Sequence, residues 1–243
     1  EEFQQRVIRL KWIFELPPGY EDIKFVWLAG NHDIGYGSDC NLKRLRRFED
    51  AFGKQDRYFE YLGHNWLMFN SQLVEGVKEE SLRNRTSIFL ENHGNEYLMS
   101  KAFPDHKPLI VLDHIPFYKS SGNCVDSPSI KFDKDGYILS QNMLSLKTTT
   151  DILKFGPIFI FNGHDHNGCF YEHRMTSPPH VQEVTVRSMM GDFGGHSLLF
   201  EIIPLDDSQI EEDTGRQEYK YEVFLISFFT TDEIIVKFII LLC

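Results

Sequence analysis

Three short stretches of the sequence carry side chains that can bind cations, and each of them directly follows an apolar run. They contribute Asn31, His32 and Asp33 after Ala29; Asp113 and His114 after Leu112; and Asn162, His164, Asp165 and His166 after Phe161. Ligands of α/β proteins bind outside the carboxyl ends of the strands, so three such loops on neighbouring strands meet at one pocket. The pattern predicts a metal centre, and its imidazole, amide and carboxylate donors suit Zn, Mn or Fe.

The pair His164 and His166 is the most informative of these, because two imidazoles two residues apart after an apolar run have little packing value. His114 taken alone fits either a ligand or a structural role. Lone histidines near strand ends are more often hydrogen-bonded structural residues, and to this class we assign His64, His93, His106, His173 and His180. Since the three loops contain no Cys, a closed structural zinc site is disfavoured.

Hydrophobic periodicity indicates the elements that position these loops. It predicts helices over residues 3–14, 41–52, 91–103 and about 141–155, the last with Ser140 as its N-cap. Apolar runs at residues 23–29, 108–112 and 157–161 predict strands buried on both faces. Further strands are predicted over residues 58–62, 66–70, 169–174, 181–186, 197–203 and 219–229. Helices and parallel strands followed by an antiparallel meander predict an α/β fold, arranged as a two-sheet sandwich.

Composition limits the class of protein. The 243 residues are 42% hydrophobic, which supports a sizeable core, and chains of this length commonly form one α/β domain. The formal net charge of −11 argues against a nucleic-acid partner, because binding phosphates requires clustered Lys and Arg. The basic cluster within residues 43–47 is followed by Glu49 and Asp50, so we interpret it as a solvated helix face.

The cysteines, one sequon and the last residues bear on the cellular compartment. None of the four cysteines forms a Cys-x-x-Cys pair, so a zinc-ribbon or thioredoxin-type site is not predicted. Asn84 begins an N-glycosylation sequon in a polar stretch that we interpret as a surface loop, a weak indication of a secretory lumen. Residues 234–243 are apolar except for Lys237, and they form either a final strand or tail or the start of a membrane helix, which needs about 20 residues to span a bilayer.

The three loops resemble those of the calcineurin-like metallophosphoesterases in order and spacing. The matching motifs are GNHD at residues 30–33, His114 within DHIPFY, and GHDH at residues 163–166. Flanking segments such as LSQNMLSLKTTTDIL and EVTVRSMMGDFGG resemble the eukaryotic branch of the family that acts on glycosylphosphatidylinositol (GPI) anchors. The resemblance covers about residues 2–203. It implies the two-sheet α/β sandwich of that family.

The resemblance also implies a ligand set for two divalent metal ions, with Mn as the first expectation and Zn or Fe as alternatives. Asn31, His114 and His164 would hold one ion, and His166 would belong to the other. Two such ions polarise the phosphoryl oxygens and turn a bridging water into hydroxide at neutral pH.

Three further roles follow from the resemblance. His32 would lie beside the phosphate and stabilise the transition state or protonate the leaving alkoxide, with Asp33 fixing its orientation. Cys124 and Cys169 would form a disulfide, which an oxidising lumen permits.

Part of the family's ligand set lies outside this sequence. The family has an Asp-x-His and a Gly-Asp pair upstream of GNHD, and residues 1–29 contain neither. We expect that the chain begins just after that segment, so that the sandwich is missing its first strands. With three ligands for one ion and one for the other, we predict that this chain alone binds a single metal ion weakly and shows little or no turnover.

The resemblance implies a phosphodiesterase that removes ethanolamine phosphate from GPI-anchor glycans during remodelling and transport in the endoplasmic reticulum and Golgi. Residues 1–220 would form the metallophosphoesterase domain, on the lumenal side, and residues 221–243 an apolar tail or the start of a membrane segment. The expected partner is a GPI-anchor glycan or a GPI-anchored protein, with membrane association through segments outside this chain. Two alternatives stay open: the same fold acting on a phosphoprotein or nucleotide, and a catalytically inactive module that binds or exports GPI cargo.

Overall fold

The computed structural model describes residues 1–37, 39–124, 129–176, 180–206 and 218–227. Within them lie the α-helices α1 (Glu2–Ile13), α2 (Asn31–Ile34), α3 (Leu42–Phe52), α4 (Glu80–Ser100) and α5 (Leu146–Leu153), with short 3-10 helices at Ser71–Leu73 and Gly191–Phe193. The strands are β1 (Arg57–Tyr61), β2 (His64–Met68), β3 (Leu109–Leu112), β4 (Ile130–Phe132), β5 (Ile138–Gln141), β6 (Phe159–Asn162), β7 (Cys169–His173), β8 (Val181–Thr185), β9 (His196–Pro204) and β10 (Tyr219–Ser227).

The central sheet has six strands in the order β1-β2-β3-β6-β8-β7. Strands β2, β3, β6 and β8 run parallel to one another, whereas β1 and β7, at the two ends of this order, are antiparallel to them. The carboxyl ends of β3 and β6 therefore lie side by side, and the loops that begin at Asp113 and Gly163 leave the sheet together.

A second, antiparallel pair of strands packs on one face of the central sheet. Strands β9 and β10 pair along their whole length, and Leu198, Phe200 and Ile202 of β9 pack against Ile110 and Phe161 of the central sheet. On the other face, α4 and α5 contribute to a larger apolar cluster. The two-sheet α/β arrangement predicted from the sequence is therefore present.

The prediction of a strand over residues 23–29 is wrong. No strand is assigned there within the described chain, and Ile23, Phe25 and Val26 are 48%, 42% and 38% exposed. An apolar run becomes a strand only where a neighbour takes its backbone hydrogen bonds. Here side chains do so at the end of the run, because the Ala29 N–H donates to Gln55 and the Ala29 carbonyl accepts from Asn70 at 2.9 Å.

The predicted start and N-cap of the helix over residues 141–155 are also wrong. Residues 138–141 are held extended because β5 pairs with β4, so α5 begins at Leu146. Ser145 is the N-cap residue, and its side-chain oxygen accepts from the Thr148 N–H at 3.1 Å.

The glycosylation sequon lies in a helix, so the prediction of a surface loop there is wrong. Helix α4 already begins at Glu80, because Leu82, Thr86 and Leu90 recur four residues apart on its buried face. The Asn84 side chain is exposed, whereas the Thr86 hydroxyl donates to Asp56 at 2.9 Å. Glycosylation of Asn84 stays a prediction.

Strand β10 crosses residue 220, where the sequence analysis placed the end of the domain. The apolar run at residues 234–243 and Cys243 lie outside the described residues. In the part of the chain that the structure describes, each helix is too short or too polar to span a bilayer.

Candidate metal centre

Three of the predicted ligand residues meet at the carboxyl ends of β3 and β6. His114 lies in the loop after β3 and His164 in the loop after β6, and the Gly163 N–H donates to the His114 carbonyl at 3.2 Å. Asn31 opens the short helix α2, which follows Gly30. The two imidazole rings are edge to face, with centroids 5.2 Å apart.

The amide oxygen of Asn31 is the shared point of this cluster. Asn31 Oδ1 lies 3.0 Å from His114 Nε2 and 3.2 Å from His164 Nδ1. Since a carbonyl oxygen only accepts, these contacts place a proton on each of the two ring nitrogens. Donor atoms bound to one ion at about 2.0–2.1 Å lie roughly 3 Å apart. The two distances from the Asn31 oxygen therefore match those between neighbouring ligand atoms of one ion.

His164 is held by an unusual backbone conformation and by a hydroxyl group. Its φ is +68°, a left-handed conformation that is uncommon for a residue other than Gly and that occurs at functional sites. Its Nε2 lies 3.1 Å from the Tyr36 hydroxyl, which is also 3.4 Å from the Gln141 carbonyl oxygen. Both ring nitrogens of His164 therefore have a partner, and the ring orientation is fixed.

Burial keeps both histidines neutral. Burial, together with the nearby His164, His32 and His166, lowers the pKa of His114 to about 3. Burial also lowers the pKa of His164 below its ordinary value. A metal ion binds the neutral imidazole, so each ring would have to move its proton to its other nitrogen but would not have to lose a charge.

Gly30 allows α2 to approach the His114 ring. A Cβ atom at Gly30 would lie 2.8 Å from His114 Cε1 and 2.9 Å from Nε2, which is too close. The Gly30 N–H also donates to the Asp33 carboxylate at 2.8 Å, and this bond closes the first turn of α2. The described contact of the Asp33 carboxylate is therefore with the helix backbone, and an action of Asp33 on His32 stays a prediction.

His32 and His166 flank the cluster. His32 is exposed on α2 and, with Asp33, Arg47 and Phe48, lines a cavity of about 620 Å³. The His166 ring lies 4.4 Å from the Phe193 ring, and its carbonyl accepts from the Ser188 N–H at 3.1 Å. Both residues are near enough to lower the pKa of His114.

Asp113 precedes His114 in the sequence, but its described side-chain hydrogen bond is to the Ser71 backbone. Its side chain is buried, and one carboxylate oxygen accepts from the Ser71 N–H at 3.0 Å while the other has no partner among the described atoms. Burial raises the pKa of Asp113 to about 7. The carboxyl group is therefore protonated over a wider pH range than an exposed aspartate.

The donors at the cluster fit one divalent cation. Two neutral imidazoles and an amide oxygen are ligand types that Zn, Mn or Fe accept. Among the described residues no three His, Cys, Asp or Glu side chains are grouped so as to hold an ion. The third donor is thus the Asn31 amide, and the described part of the chain adds no carboxylate to it.

A disulfide lies close to both ligand loops along the chain. Cys124 follows the loop after β3, and Cys169 begins β7 just after residues 163–166; the two form a disulfide with Cα atoms 5.8 Å apart. Cys40 is a buried free thiol.

Sequence reasoning missed two residues that support the cluster. Tyr36 lies within GNHDIGYG, so its nearness to the motif was a usable signal, but its contact with His164 spans 128 positions. Glu183 lies in β8 and bonds to the segment that follows His114 and to Asn162, which precedes His164. A single Glu in a predicted strand gives no such signal.

Comparison with known proteins shows which family the sequence is similar to. The family model for calcineurin-like phosphoesterases matches residues 2–168. Protein TED1 of Saccharomyces cerevisiae is 34% identical over 214 residues, which cover 75% of this chain and 44% of that protein. Metallophosphoesterase 1 of Danio rerio is 31% identical over 196 residues, which cover 73% of this chain and 50% of that protein. The chain spans about half the length of these curated relatives.

Proposed function

The chain belongs to the calcineurin-like phosphoesterase family, and we propose that it is the catalytic domain of a metal-dependent phosphodiesterase that removes ethanolamine phosphate from GPI-anchor glycans. In this proposal the domain faces the lumen of the endoplasmic reticulum or Golgi, and the metal is Mn²⁺. The substrate is proposed from the likeness of the motif flanks to the GPI-acting branch.

One observation carries the proposal of a metal-dependent reaction. Asn31, His114 and His164 come from three separate parts of the chain. His114 Nε2 and His164 Nδ1 both lie within 3.2 Å of Asn31 Oδ1. Half-buried polar side chains gather in this way when they share a ligand or a hydrogen-bond network, and two neutral imidazoles with an amide oxygen suit a cation.

Each residue of the candidate site has a role in this proposed reaction. Asn31, His114 and His164 would hold one cation, and His166 would belong to the second. The bound metal supplies Lewis acidity toward the phosphoryl oxygens and hydroxide from water. His32 is exposed beside the cluster, where it can hold a proton for the leaving alkoxide. Asp33 fixes the first turn of α2 and so the direction in which His32 projects.

Two features support a lumenal location. The Cys124–Cys169 disulfide is typical of proteins that fold in an oxidising compartment. The Asn84 side chain of the sequon is exposed on α4.

A second candidate function is a binding or export module for GPI cargo without catalytic activity. It is favoured by the donor set, because the described residues bring no carboxylate to the three neutral donors. Carboxylates strengthen the binding of hard cations such as Mn²⁺, so a cluster without them binds such ions less tightly.

The deciding experiment uses the full-length protein. Release of phosphoethanolamine from a GPI glycan and hydrolysis of bis(p-nitrophenyl) phosphate are measured with Mn²⁺ for the wild type, His32→Ala and His164→Ala. We expect both activities in the wild type and loss of both in the variants. Hydrolysis of the synthetic diester without release from the glycan would contradict the proposed substrate. Equal rates in all three proteins would contradict the proposed site, and no activity together with retained GPI-glycan binding would establish the binding module.

A further inference from the structure

Glu183 is a buried carboxylate that accepts hydrogen bonds from residues close in sequence to His114 and His164. It lies in β8, between β6 and β7 of the central sheet, and it is 1% exposed. Burying an ionised carboxylate is costly unless it is paired and hydrogen-bonded, so the partners of this group explain its presence.

Four donors reach the Glu183 carboxylate. Oε1 accepts from the Phe117 N–H at 2.9 Å, from Lys119 Nζ at 2.7 Å and from Asn162 Nδ2 at 2.7 Å. Oε2 lies 2.6 Å from His173 Nε2. Burial would raise the pKa of Glu183, but the His173 hydrogen bond and the Lys119 charge lower it below its ordinary value. The group is therefore an ionised acceptor.

Three of the four donors come from the segments that carry His114 and His164, the proposed metal-binding histidines, and the fourth, His173, lies in β7. Phe117 and Lys119 lie in the loop that contains His114, and Asn162 ends the strand that leads to His164. The backbone bond from Gly163 to His114 ties the two loops at the end of the sheet. The Glu183 carboxylate links the two segments a second time, through Asn162 and through residues farther along the loop after β3. It therefore restrains the direction of that loop as well as its starting point.

Stability alone does not account for this arrangement. A buried ion pair such as Lys119–Glu183, whose side chains are 1% and 0% exposed, is often no more stable than apolar residues of the same size. What apolar residues cannot reproduce is the directional link from one carboxylate to three separate segments. The hydrogen bonds of Glu183 therefore favour a role in fixing the relative positions of these segments.

We propose that Glu183 is a positioning residue that sets the separation of the loops bearing His114 and His164, and thereby the shape of the cation site. The proposal rests on the proposed function, because it requires those histidines to bind a metal ion. In this role Glu183 contacts neither the substrate nor the metal ion.

The test is a titration of the full-length protein with Co²⁺, whose visible absorption reports the geometry of its ligands, at a temperature far below unfolding. The central variant is Glu183→Gln, which cannot accept from all four donors. Because this variant leaves the Lys119 charge buried and unpaired, the double variant Lys119→Met/Glu183→Gln is measured beside it. We expect the Co²⁺ affinity to fall by about tenfold or more in both, as for other residues that orient metal ligands, with an altered absorption spectrum.

Two variants separate positioning from general stability. Glu172→Gln makes the same chemical change on the neighbouring strand β7, where the carboxylate accepts from Gln182 at 3.0 Å and is partly exposed. His173→Gln weakens the bond from Glu183 to β7 but leaves its bonds to both ligand loops. We expect both to keep the wild-type Co²⁺ affinity and spectrum, although His173→Gln lowers the melting temperature.

The outcomes distinguish this inference from the proposed function. If His114→Ala leaves Co²⁺ binding unchanged, the metal centre itself is wrong. If His114→Ala abolishes binding while both Glu183 variants bind Co²⁺ as the wild type does, the positioning role is wrong. A fall in affinity for His173→Gln as large as for the Glu183 variants would show that the cluster acts only through stability.

Discussion

The Tyr36 hydroxyl lies 3.1 Å from His164 Nε2, on the side of the ring opposite to the Asn31 amide. Burial raises the pKa of Tyr36 to about 12, so the phenol stays protonated at any physiological pH. If His164 held a cation through Nδ1, its proton would be on Nε2, and the Tyr36 oxygen would be the acceptor for it. Such a partner fixes the tautomer and the orientation of a metal-binding imidazole.

Tyr36→Phe removes this partner and leaves the ring of residue 36 in place. We expect the affinity for Mn²⁺ or Co²⁺ to fall by about tenfold, because His164 then loses its preferred tautomer and orientation. Isothermal titration of wild type and variant with each metal measures the change. An unchanged affinity in Tyr36→Phe would mean that Asn31 alone holds the His164 ring.

Gly30→Ala is expected to disturb His114 directly. The Gly30 φ of −96° suits any residue, so the effect is steric: the new Cβ would lie 2.8 Å from the His114 ring. Overpacking of this kind costs about 1–3 kcal/mol of the free energy of unfolding. We expect loss of metal affinity together with a lower denaturation midpoint in urea.

Gly163→Ala is the matched control for Gly30→Ala. A Cβ at Gly163 would lie 3.9 Å from His114 Nδ1, which is an ordinary contact distance. This variant should therefore bind metal much more tightly than Gly30→Ala. Equal losses in the two alanine variants would contradict the steric explanation.

The cluster of donor residues could be predicted from the sequence because each of them follows an apolar run in a short motif. Asn31, His114 and His164 are brought together by the parallel pairing of β3 with β6 and by the position of α2. The supporting residues could not be predicted in this way. The bonds of Glu183 to Phe117 and Asn162 depend on strand order and register, which a single sequence does not specify.

The fold was predicted where local periodicity and tertiary pairing agree, as in α1, α3, β3 and β6. It was mispredicted at residues 23–29, where the apolar run has strand character but the Ala29 backbone bonds to the Gln55 and Asn70 side chains. Ser140 looked like a helix cap because it precedes an apolar periodic stretch. The pairing of β5 with β4 overrides that local preference.

Ser145→Ala tests the corrected start of α5. The Ser145 hydroxyl oxygen accepts from the Thr148 N–H and the hydroxyl donates to Glu75 at 2.6 Å, so the variant loses a cap and a bond to a carboxylate. We expect the free energy of unfolding to fall by about 1–2 kcal/mol. Ser140→Ala should change it by less than about 0.5 kcal/mol. Urea denaturation followed by circular dichroism compares them, and the reverse order would contradict the assigned cap.

Asp113→Asn tests the buried carboxyl group that precedes His114. Burial raises the pKa of Asp113 from 3.8 to about 7, so the folded protein holds a proton that the unfolded chain releases. This contribution to stability is complete below pH 3.8 and is lost as the pH rises through 7, by up to about 1.4 kcal/mol per pH unit. Asn has the same shape and does not titrate, so the variant lacks this loss.

His114, with its lowered pKa, has the opposite effect, because its contribution to stability is lost as the pH falls from 6.5 toward 3. This contribution is present in both proteins. We therefore expect the stability of the wild type relative to Asp113→Asn to fall between pH 5 and pH 7 in metal-free urea denaturation. A constant difference between the two proteins across that range would show that Asp113 is ionised in the folded state.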